Sequence, residues 1–110
     1  PSITVRCMVG YWRKANAIHQ WFVDNVQDGV DECRDAYVSR EKLAELMNVC
    51  EQVLGDHSLA DDLLPTASGF FFGNIEYDEW YFESLEYSIS IIKNALSLDE
   101  EYQFSYQSSW

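Results

Sequence analysis

Apolar residues recur at intervals of three and four between residues 40 and 54, and this period constrains the fold more than any other pattern. The stripe comprises Leu43, Leu46, Met47, Cys50, Val53 and Leu54. Such spacing places the side chains on one face of an α-helix. Ser39 precedes the stripe as an N-cap and Gly55 follows it, so the pattern predicts a helix over residues 40–54.

Two further segments show a helical pattern. In residues 11–27 the apolar side chains form one arc of about 140° on a helical projection, and Gly29 follows the end of the segment. Within that helix, His19 lies inside the apolar arc and Trp21 lies outside it. The stripe of residues 76–97 comprises Tyr81, Phe82, Leu85, Ile89, Ile92 and Leu96.

Alternation of apolar and polar residues near both ends of the chain predicts two strands. Ile3, Val5, Cys7 and Val9 share one face of residues 2–10, and residues 102–110 alternate in the same way. We expect these strands to pair, and residues 36–38 also fit a short strand. An isolated hairpin is marginally stable, so the sheet must pack on the helices. The predicted fold is α+β, with three helices packed on a small sheet made by the N- and C-terminal strands.

The chain length and composition predict one globular domain. The 110 residues suffice for a single domain over residues 1–110 and are too few for two. Hydrophobic residues make up 47% of the chain, which supplies a core and excludes the disordered class. No apolar run reaches about 18 residues, so no transmembrane helix is expected. The first ten residues also lack the pattern of a secretory signal peptide.

The cysteines favour a reducing compartment. Cys7, Cys33 and Cys50 are odd in number and widely spaced, whereas a small secreted disulfide scaffold carries a larger, even set. No pair has Cys-x-x-Cys or His-x-x-x-His spacing, so no metal site and no cofactor are predicted. We therefore expect a cytoplasmic protein with reduced thiols.

The acidic residues are unevenly distributed along the chain. Seven basic and nineteen acidic residues give a net charge of −12. A surface of this sign repels phosphate backbones and anionic membranes, so direct binding to nucleic acid or to a membrane is not expected. Residues 1–54 contain six of the seven basic residues, and residues 55–110 contain eleven of the nineteen acidic ones.

The basic cluster near the first helix defines one candidate site for an anion. Its members, at the predicted junction of strand and helix, are Tyr11, Trp12, Arg13, Lys14, Asn16 and His19. Backbone N–H groups at a helix start and nearby cationic side chains together bind anions well. In the alternative interpretation the aromatic residues belong to the core, the two cations are solvated, and the histidine is a core residue with satisfied hydrogen bonds.

A loop rich in glycine and phenylalanine defines a second candidate site. Its proposed ligand contacts, with Trp80 from the following helix, are Ser68, Gly69, Phe71 and Gly73. Glycines allow a backbone to approach a ligand closely, and aromatic side chains form pocket walls. The loop lacks the lysine of a P-loop and the Gly-x-Ser-x-Gly of a nucleophile elbow. Alternatively, its phenylalanines simply attach the loop to the core.

A row of carboxylates defines a candidate protein interface. Glu79, Glu83 and Glu86 lie on one face of the last helix, where they could imitate DNA phosphates for a basic host protein. Trp21 is a candidate anchor for the same interface. The alternatives are a solvated helix face and a tryptophan packed under a loop. Serine, cysteine and histidine show no triad spacing, so an enzyme is not favoured.

Three sequence blocks show a family resemblance. They are YWRKANAIHQWFV from residue 11, YVSREKL from residue 37, and LPTASGFFFG with YDEWY from residues 64 and 77. Together they resemble an uncharacterised family of small tailed-bacteriophage proteins over roughly residues 9–97. Family members often contain a longer insertion near residues 55–62, and the aromatic tail after Asp99 is not part of the pattern.

The resemblance implies a phage accessory protein that acts in the host bacterial cytoplasm, a class that often inhibits host defence. The resemblance also implies one pocket shared by the two candidate sites, and the leading hypothesis is an anti-defence binding protein that sequesters a small anionic, nucleotide-like ligand there. The alternative is an acidic, DNA-mimic-like inhibitor of a basic host protein. A third hypothesis is a small hydrolase that uses His19 and a carboxylate. The sequence is also compatible with a homo-oligomer.

Overall fold

The computed structural model describes residues 2–3, 5–30, 35–66 and 76–108. In these residues the helices are α1 (Asn16–Asn25), α2 (Arg40–Gly55), α3 (Ala60–Leu63) and α4 (Glu79–Leu96). A 3-10 turn spans His57–Leu59, and the strands are β1 (Ala36–Val38) and β2 (Phe104–Tyr106). The helices and the small antiparallel sheet confirm the α+β class.

The two long helices begin at side-chain caps. The Ser39 hydroxyl accepts a hydrogen bond from the Lys42 backbone N–H at 3.1 Å. The Asp78 carboxylate accepts one from the Tyr81 backbone N–H at 3.0 Å. Each cap satisfies one of the backbone donors that a helix start leaves unpaired. The predicted bounds of α2 and α4 therefore lie within three residues of those observed.

Helix α1 is shorter than predicted at its start. Lys14 has φ = 56°, in the left-handed region that a helix cannot use, and Ala15 at the N-cap is also non-helical. Residues 11–15 therefore lie outside the helix, although the apolar arc of the sequence continues through them. The first helical residue is Asn16 instead of Tyr11.

The sheet pairs β1 with β2, and the predicted N-terminal strand was wrong. Val38 is opposite Phe104, and Ala36 is opposite Tyr106. The described residues of the segment 2–10 lie outside any strand, and Ile3 and Val5 are 98% and 82% exposed. The physical reason is packing, because β1 buries the Val38 side chain in the core as it pairs, whereas the N-terminal segment buries none of its apolar face.

The core lies between α1, α2, α4 and the inner face of the sheet. Its fully buried members include Phe22, Leu46, Leu85 and Ile92. The ring of Tyr106 stacks on Phe22 with centroids 4.0 Å apart and planes 7° from parallel, which fixes β2 on α1. No helix in the described part of the chain is both long and apolar enough to cross a membrane.

Arg40 connects the start of α2 to the chain that leaves α4. Its guanidinium donates to the Leu96 carbonyl oxygen at 3.3 Å and to the Asp99 carbonyl oxygen. The same group lies 5.1 Å from the centroid of the Phe104 ring. A cation that binds the free carbonyls at a helix end is favourable for the helix dipole. Arg40 thereby directs the chain from α4 into β2.

Candidate ligand-binding groove

A groove of about 250 Å³ lies between the segment before α1 and the first half of α4. We call it the aromatic groove. Its lining residues are Tyr11, Trp12, Arg13, Ala15, Trp80, Glu83, Ser84 and Tyr87. Small-molecule sites are concave and mainly apolar, with a few polar groups, and this groove has that composition.

Helical spacing explains how α4 forms one wall of the aromatic groove. Trp80, Ser84 and Tyr87 are four and then three residues apart, so their side chains lie on the same helix face. Glu83 belongs to the edge of that face. The opposite wall comes from residues 11–13, which the left-handed Lys14 separates from α1. The non-helical start of this segment therefore positions its side chains toward α4.

Trp12 is held in place under the aromatic groove by hydrogen bonding and ring packing. Its indole Nε1–H donates to the Ser88 hydroxyl oxygen at 2.8 Å, and the Ser88 hydroxyl donates to the Ser84 carbonyl oxygen at 2.7 Å. The indole also packs against Phe22 at 5.6 Å between ring centroids. Ser88 is fully buried, so the chain of hydrogen bonds is protected from water.

Tyr87 is oriented by two contacts across the groove. Its hydroxyl oxygen accepts a hydrogen bond from the Tyr11 backbone N–H at 3.3 Å. Its ring meets Trp12 edge to face, with centroids 6.4 Å apart. Both walls are therefore connected before any ligand arrives, which lowers the entropy that binding must overcome.

Three aromatic rings of the groove remain open to solvent. Tyr11 is 63% exposed, Trp80 54% and Tyr87 46%. One cation, Arg13, and one carboxylate, Glu83, line the groove with them. Large exposed rings around a concave surface are typical of a site that stacks a planar ligand. The groove can therefore hold a flat ring, with Arg13 available for a cationic contact and Glu83 for an anionic one.

Lys14 and Asn16 line a much smaller space beside the aromatic groove. This cavity measures about 10 Å³, which is room for a single water molecule. Glu76 and Asp78 also line it, so two acidic residues border the space next to Lys14. Ala15, Trp80 and Ser84 line both spaces. Lys14 is therefore close to the groove, but its own cavity is too small for an organic ligand.

His19 and Trp21 are placed in the core. His19 is 3% exposed, and its Nδ1 lies 2.6 Å from the Tyr106 hydroxyl, so it does not line the aromatic groove. Trp21 is 9% exposed and meets Phe22 edge to face at 5.4 Å. The structure therefore corrects two predicted contacts, because a side chain this deeply buried has no surface to offer a ligand or a partner protein.

The second candidate loop falls outside the described residues. Ser68, Gly69, Phe71 and Gly73 belong to it. Its described neighbour Thr66 lies close to α4, because the Thr66 backbone N–H donates to the Tyr77 hydroxyl oxygen at 3.3 Å. Thr66 lines the small cavity next to Lys14. The contact of this loop with a ligand stays a prediction.

The carboxylates of the acidic row face solvent along α4. Glu79, Glu83 and Glu86 are all exposed. In residues 2–3, 5–30, 35–66 and 76–108, the ion pairs are Arg6 with Asp35 and Lys42 with Glu45, so the row has no cation partner there. Of the three, Glu83 also lines the aromatic groove.

Four residues of the site were not predicted from the sequence. Ala15, Ser84 and Tyr87 line the groove, and Ser88 lies beneath Trp12. The position of Ser88 could have been recognised from the sequence, since it lies in the apolar stripe between Leu85 and Ile92. A hydroxyl buried at such a position needs a hydrogen-bond partner. Tyr87 lies outside that stripe, where a tyrosine is unremarkable without knowledge of the opposing segment.

Two buried ionisable groups lie away from the groove. Burial raises the pKa of the Cys50 thiol to about 12, and burial also raises the pKa of Tyr81 above its usual range. The Tyr81 hydroxyl donates to the Leu64 carbonyl oxygen at 2.8 Å, so its role is to attach the chain after α3 to α4. No group of three or more histidine, cysteine or carboxylate side chains within the described ranges is arranged to hold a metal ion.

Comparison of the chain with protein-family models, curated proteins and solved structures gives no match. The resemblance to small phage proteins therefore depends on the sequence motifs alone.

Proposed function

We propose that this chain is a small binding protein whose aromatic groove takes a nucleotide-like ligand, a planar base that carries an anionic group. One observation supports this most directly. Residues 11–13 and the face of α4 from Trp80 to Tyr87, far apart in the sequence, meet around one groove that contains aromatic rings and an arginine. The proposal assigns no chemistry to the site.

The exposed rings would supply the stacking surface. Trp80 and Tyr11 are each more than half exposed and come from opposite walls. Stacking of a base on an aromatic side chain contributes about 1–3 kcal/mol. The free volume of about 250 Å³ suits one ring system and part of its substituents. A base inserted here would cover apolar surface that is now in contact with water.

The charged residues would orient the ligand. The guanidinium of Arg13 would bind the phosphate, because its fork of donors matches the geometry of an oxyanion. Glu83, on the other wall, would accept hydrogen bonds from sugar hydroxyls or base amino groups. Lys14 borders the groove through Trp80 and would add to the positive potential near Arg13.

The biological role that we propose follows from the resemblance. A phage protein that binds a nucleotide without turning it over would sequester a signal that the host uses in defence. This role requires affinity and abundance and no catalytic group. It agrees with a groove whose polar groups include one guanidinium, one carboxylate and the hydroxyls of Tyr11, Ser84 and Tyr87.

Calorimetric titration with nucleoside monophosphates, cyclic mononucleotides and cyclic dinucleotides tests the proposal. We expect binding by at least one of them, and Trp80→Ala should weaken it about tenfold or more through loss of stacking. Arg13→Ala should weaken it by a similar factor and should reduce its dependence on salt.

Two variants elsewhere on the surface serve as controls. Tyr102→Ala removes an aromatic ring that is 55% exposed, and Lys42→Ala removes a cation on α2. Both should leave the affinity unchanged. No heat change with any nucleotide at millimolar concentration would contradict the proposal, as would equal losses in the control variants.

A second candidate function is an acidic inhibitor that docks on a basic host protein. The observation that favours it is the row Glu79, Glu83 and Glu86, which is exposed and has no cation partner among the described residues. Regularly spaced carboxylates on a rigid helix can present a potential similar to that of DNA phosphates.

Charge reversal separates this candidate from the first. If the acidic row binds a nucleic-acid-binding host protein, capture of that protein should be lost when the three glutamates are changed to lysine. It should also weaken steeply with salt. Capture that survives the charge reversal would exclude this face of α4. A variant with Asp62, Glu100 and Glu101 changed to lysine controls for the altered net charge, since all three are exposed and lie outside α4.

A further inference from the structure

The segment of residues 2–10, which we call the arm, exposes an unusual amount of apolar surface. Ile3 is 98% exposed, Val5 82% and Met8 80%. Single exposed apolar residues are ordinary, but several on one nine-residue segment are typical of an interaction surface. The arm is independent of the aromatic groove, since neither of the two described cavities includes any of its residues.

The sequence of the arm is typical of a β-strand, but its described residues do not form one. Ile3, Val5, Cys7 and Val9 alternate with other residues, which is the period of a half-buried strand. In its described residues the arm belongs to no strand. When such a segment pairs with the edge of a sheet, its backbone N–H and C=O groups gain hydrogen bonds and its apolar face can be covered.

The β1 edge of the small sheet is available to receive such a strand. The sheet of the described residues has two strands only, so none of those residues forms a strand on the side of β1 away from β2. The side chain of Tyr37, at the centre of β1, is 67% exposed. Open edges of this kind are templates for an added strand.

An ion pair places the arm at the start of that edge. The Arg6 Nη1 lies 2.7 Å from the Asp35 Oδ2, and Asp35 immediately precedes β1. The two residues are 29 positions apart in the sequence. The contact indicates the register in which an arm would meet β1, with Arg6 opposite the beginning of the strand.

The arm of the same chain does not occupy this edge. Gly10 packs so closely on α4 that an added Cβ would lie 2.4 Å from the Ile91 Cγ2, which fixes where the arm leaves the core. From there Arg6 reaches Asp35, but Ile3 and Val5 remain almost fully exposed beyond it. The side chains of Ile3 and Val5 are therefore available to a sheet edge of another molecule.

Charge identifies a second copy of this chain as a fitting partner. The arm contains one basic residue, Arg6, and no acidic one, whereas the rest of the chain contains six basic and nineteen acidic residues. A basic, apolar arm is thus attached to a strongly acidic body. Complementary potentials favour arm-to-body contact between copies, although two bodies alone would repel each other.

We propose that the arm of each chain adds as a third strand to the β1 edge of a second copy, which produces a twofold dimer by reciprocal exchange. Arg6 then pairs with Asp35 of the partner subunit, so the exchange reproduces a contact that the single chain already makes. Ile3 and Val5 become covered by the sheet and lose their contact with water.

Sedimentation velocity over a range of concentrations tests this assembly. We expect a species of twice the 12.8 kDa chain mass to increase with concentration. Ile3→Asp combined with Val5→Asp should remove it. Val30→Asp, at an apolar site that is 53% exposed outside the arm, should leave it unchanged. Circular dichroism confirms that each variant is folded, which is expected because these side chains contribute nothing to the core.

A mixing experiment distinguishes exchange from contact within one chain. R6D alone and D35R alone place like charges together at both copies of the contact and should weaken the dimer about tenfold or more. An equal mixture of the two variants restores opposite charges at both contacts and should restore the dimer. A single-chain mass at every concentration up to millimolar would overturn the proposal, as would a dimer that the arm substitutions leave intact.

Discussion

Ser88 determines how rigidly Trp12 is held beneath the aromatic groove. Its hydroxyl accepts a hydrogen bond from the Trp12 indole N–H and donates one to the Ser84 backbone carbonyl oxygen in the same helix. With no hydroxyl at position 88, the Trp12 N–H would have no protein acceptor at this site. An unsatisfied buried donor costs more than the hydrogen bond itself contributes. A single buried oxygen therefore couples the stability of α4 to the shape of the site.

Ser88→Ala should lower the free energy of unfolding by about 1–3 kcal/mol because the Trp12 indole loses its acceptor. It should also weaken ligand binding in the groove, although Ser88 touches no ligand in our proposal. Urea denaturation followed by tryptophan fluorescence measures the first effect. Ser90→Ala, at an exposed position of the same helix, is the matched control and should change stability by less than about 0.5 kcal/mol.

Cys50 should be chemically silent while the protein is folded. Burial, together with the nearby Glu51 carboxylate, raises the pKa of its thiol from 9.0 to about 12. Since the thiolate is the reactive form, alkylation at pH 8 should modify exposed Cys7 and spare Cys50, as peptide mass spectrometry can show. In urea both thiols should react at similar rates. Fast labelling of Cys50 in the folded protein would contradict the burial on which this depends.

The raised pKa of Cys50 also predicts how the free energy of unfolding changes at high pH. In the unfolded chain the Cys50 thiol loses its proton near pH 9, whereas in the folded chain it keeps it to about pH 12. The folded state therefore binds more protons in that window, and the free energy of unfolding should fall as the pH rises through it. Below pH 9 the Cys50 thiol is protonated in both states, so it does not change the free energy of unfolding with pH. Cys50→Ala should reduce the slope of stability against pH above 9.

At the scale of elements, helices α2 and α4 could be predicted, whereas α3 and the pairing of the strands could not. Helices α2 and α4 contain complete apolar stripes with a cap at the start, so local sequence determines them. Three segments had strand character, namely residues 2–10, 36–38 and 102–110. The choice among them depends on which one buries a face against the helices, a property of the packed molecule.

The candidate site likewise contains residues that could be predicted from the sequence and residues that could not. Tyr11, Trp12, Arg13 and Trp80 were candidate ligand contacts from their residue types, but only the family resemblance suggested that their two segments share one pocket. His19 could not be placed, since the same position in an apolar arc suits a ligand contact or a core residue. The contact with Tyr106, 87 residues away, decides the question, and no local pattern reveals it.

The N-cap of α2 gives a prediction at the scale of one element. Ser39→Ala removes the acceptor for the Lys42 backbone N–H and should lower the free energy of unfolding by about 1 kcal/mol. Ser39→Asn retains a capping oxygen and should lose little, so the pair separates capping from other effects of the position. Urea denaturation measures both. Equal losses in the two variants would show that the hydroxyl acts through some other contact.

The net charge of −12 is a property of the whole molecule, and it opposes the compact state. The basic residues cannot relieve it locally, because residues 55–110 contain one basic and eleven acidic side chains. The acidic row on α4 concentrates this repulsion, with Glu83 and Glu86 exposed three positions apart on one helix. Screening by salt should therefore stabilise this protein.

We expect the melting temperature to rise as sodium chloride increases from low concentration to physiological strength, because the Debye length shortens to about 8 Å. Glu83→Gln with Glu86→Gln should stabilise the protein at low salt by a few tenths of a kcal/mol for the removed repulsion. The same variant should gain little at high salt, where the repulsion is already screened. Gln52→Ala with Asn48→Ala, uncharged changes on the exposed face of α2, should leave the salt response unaltered. A melting temperature that falls with salt would mean that attractive ion pairs outweigh the repulsion, which is contrary to the charge distribution of this chain.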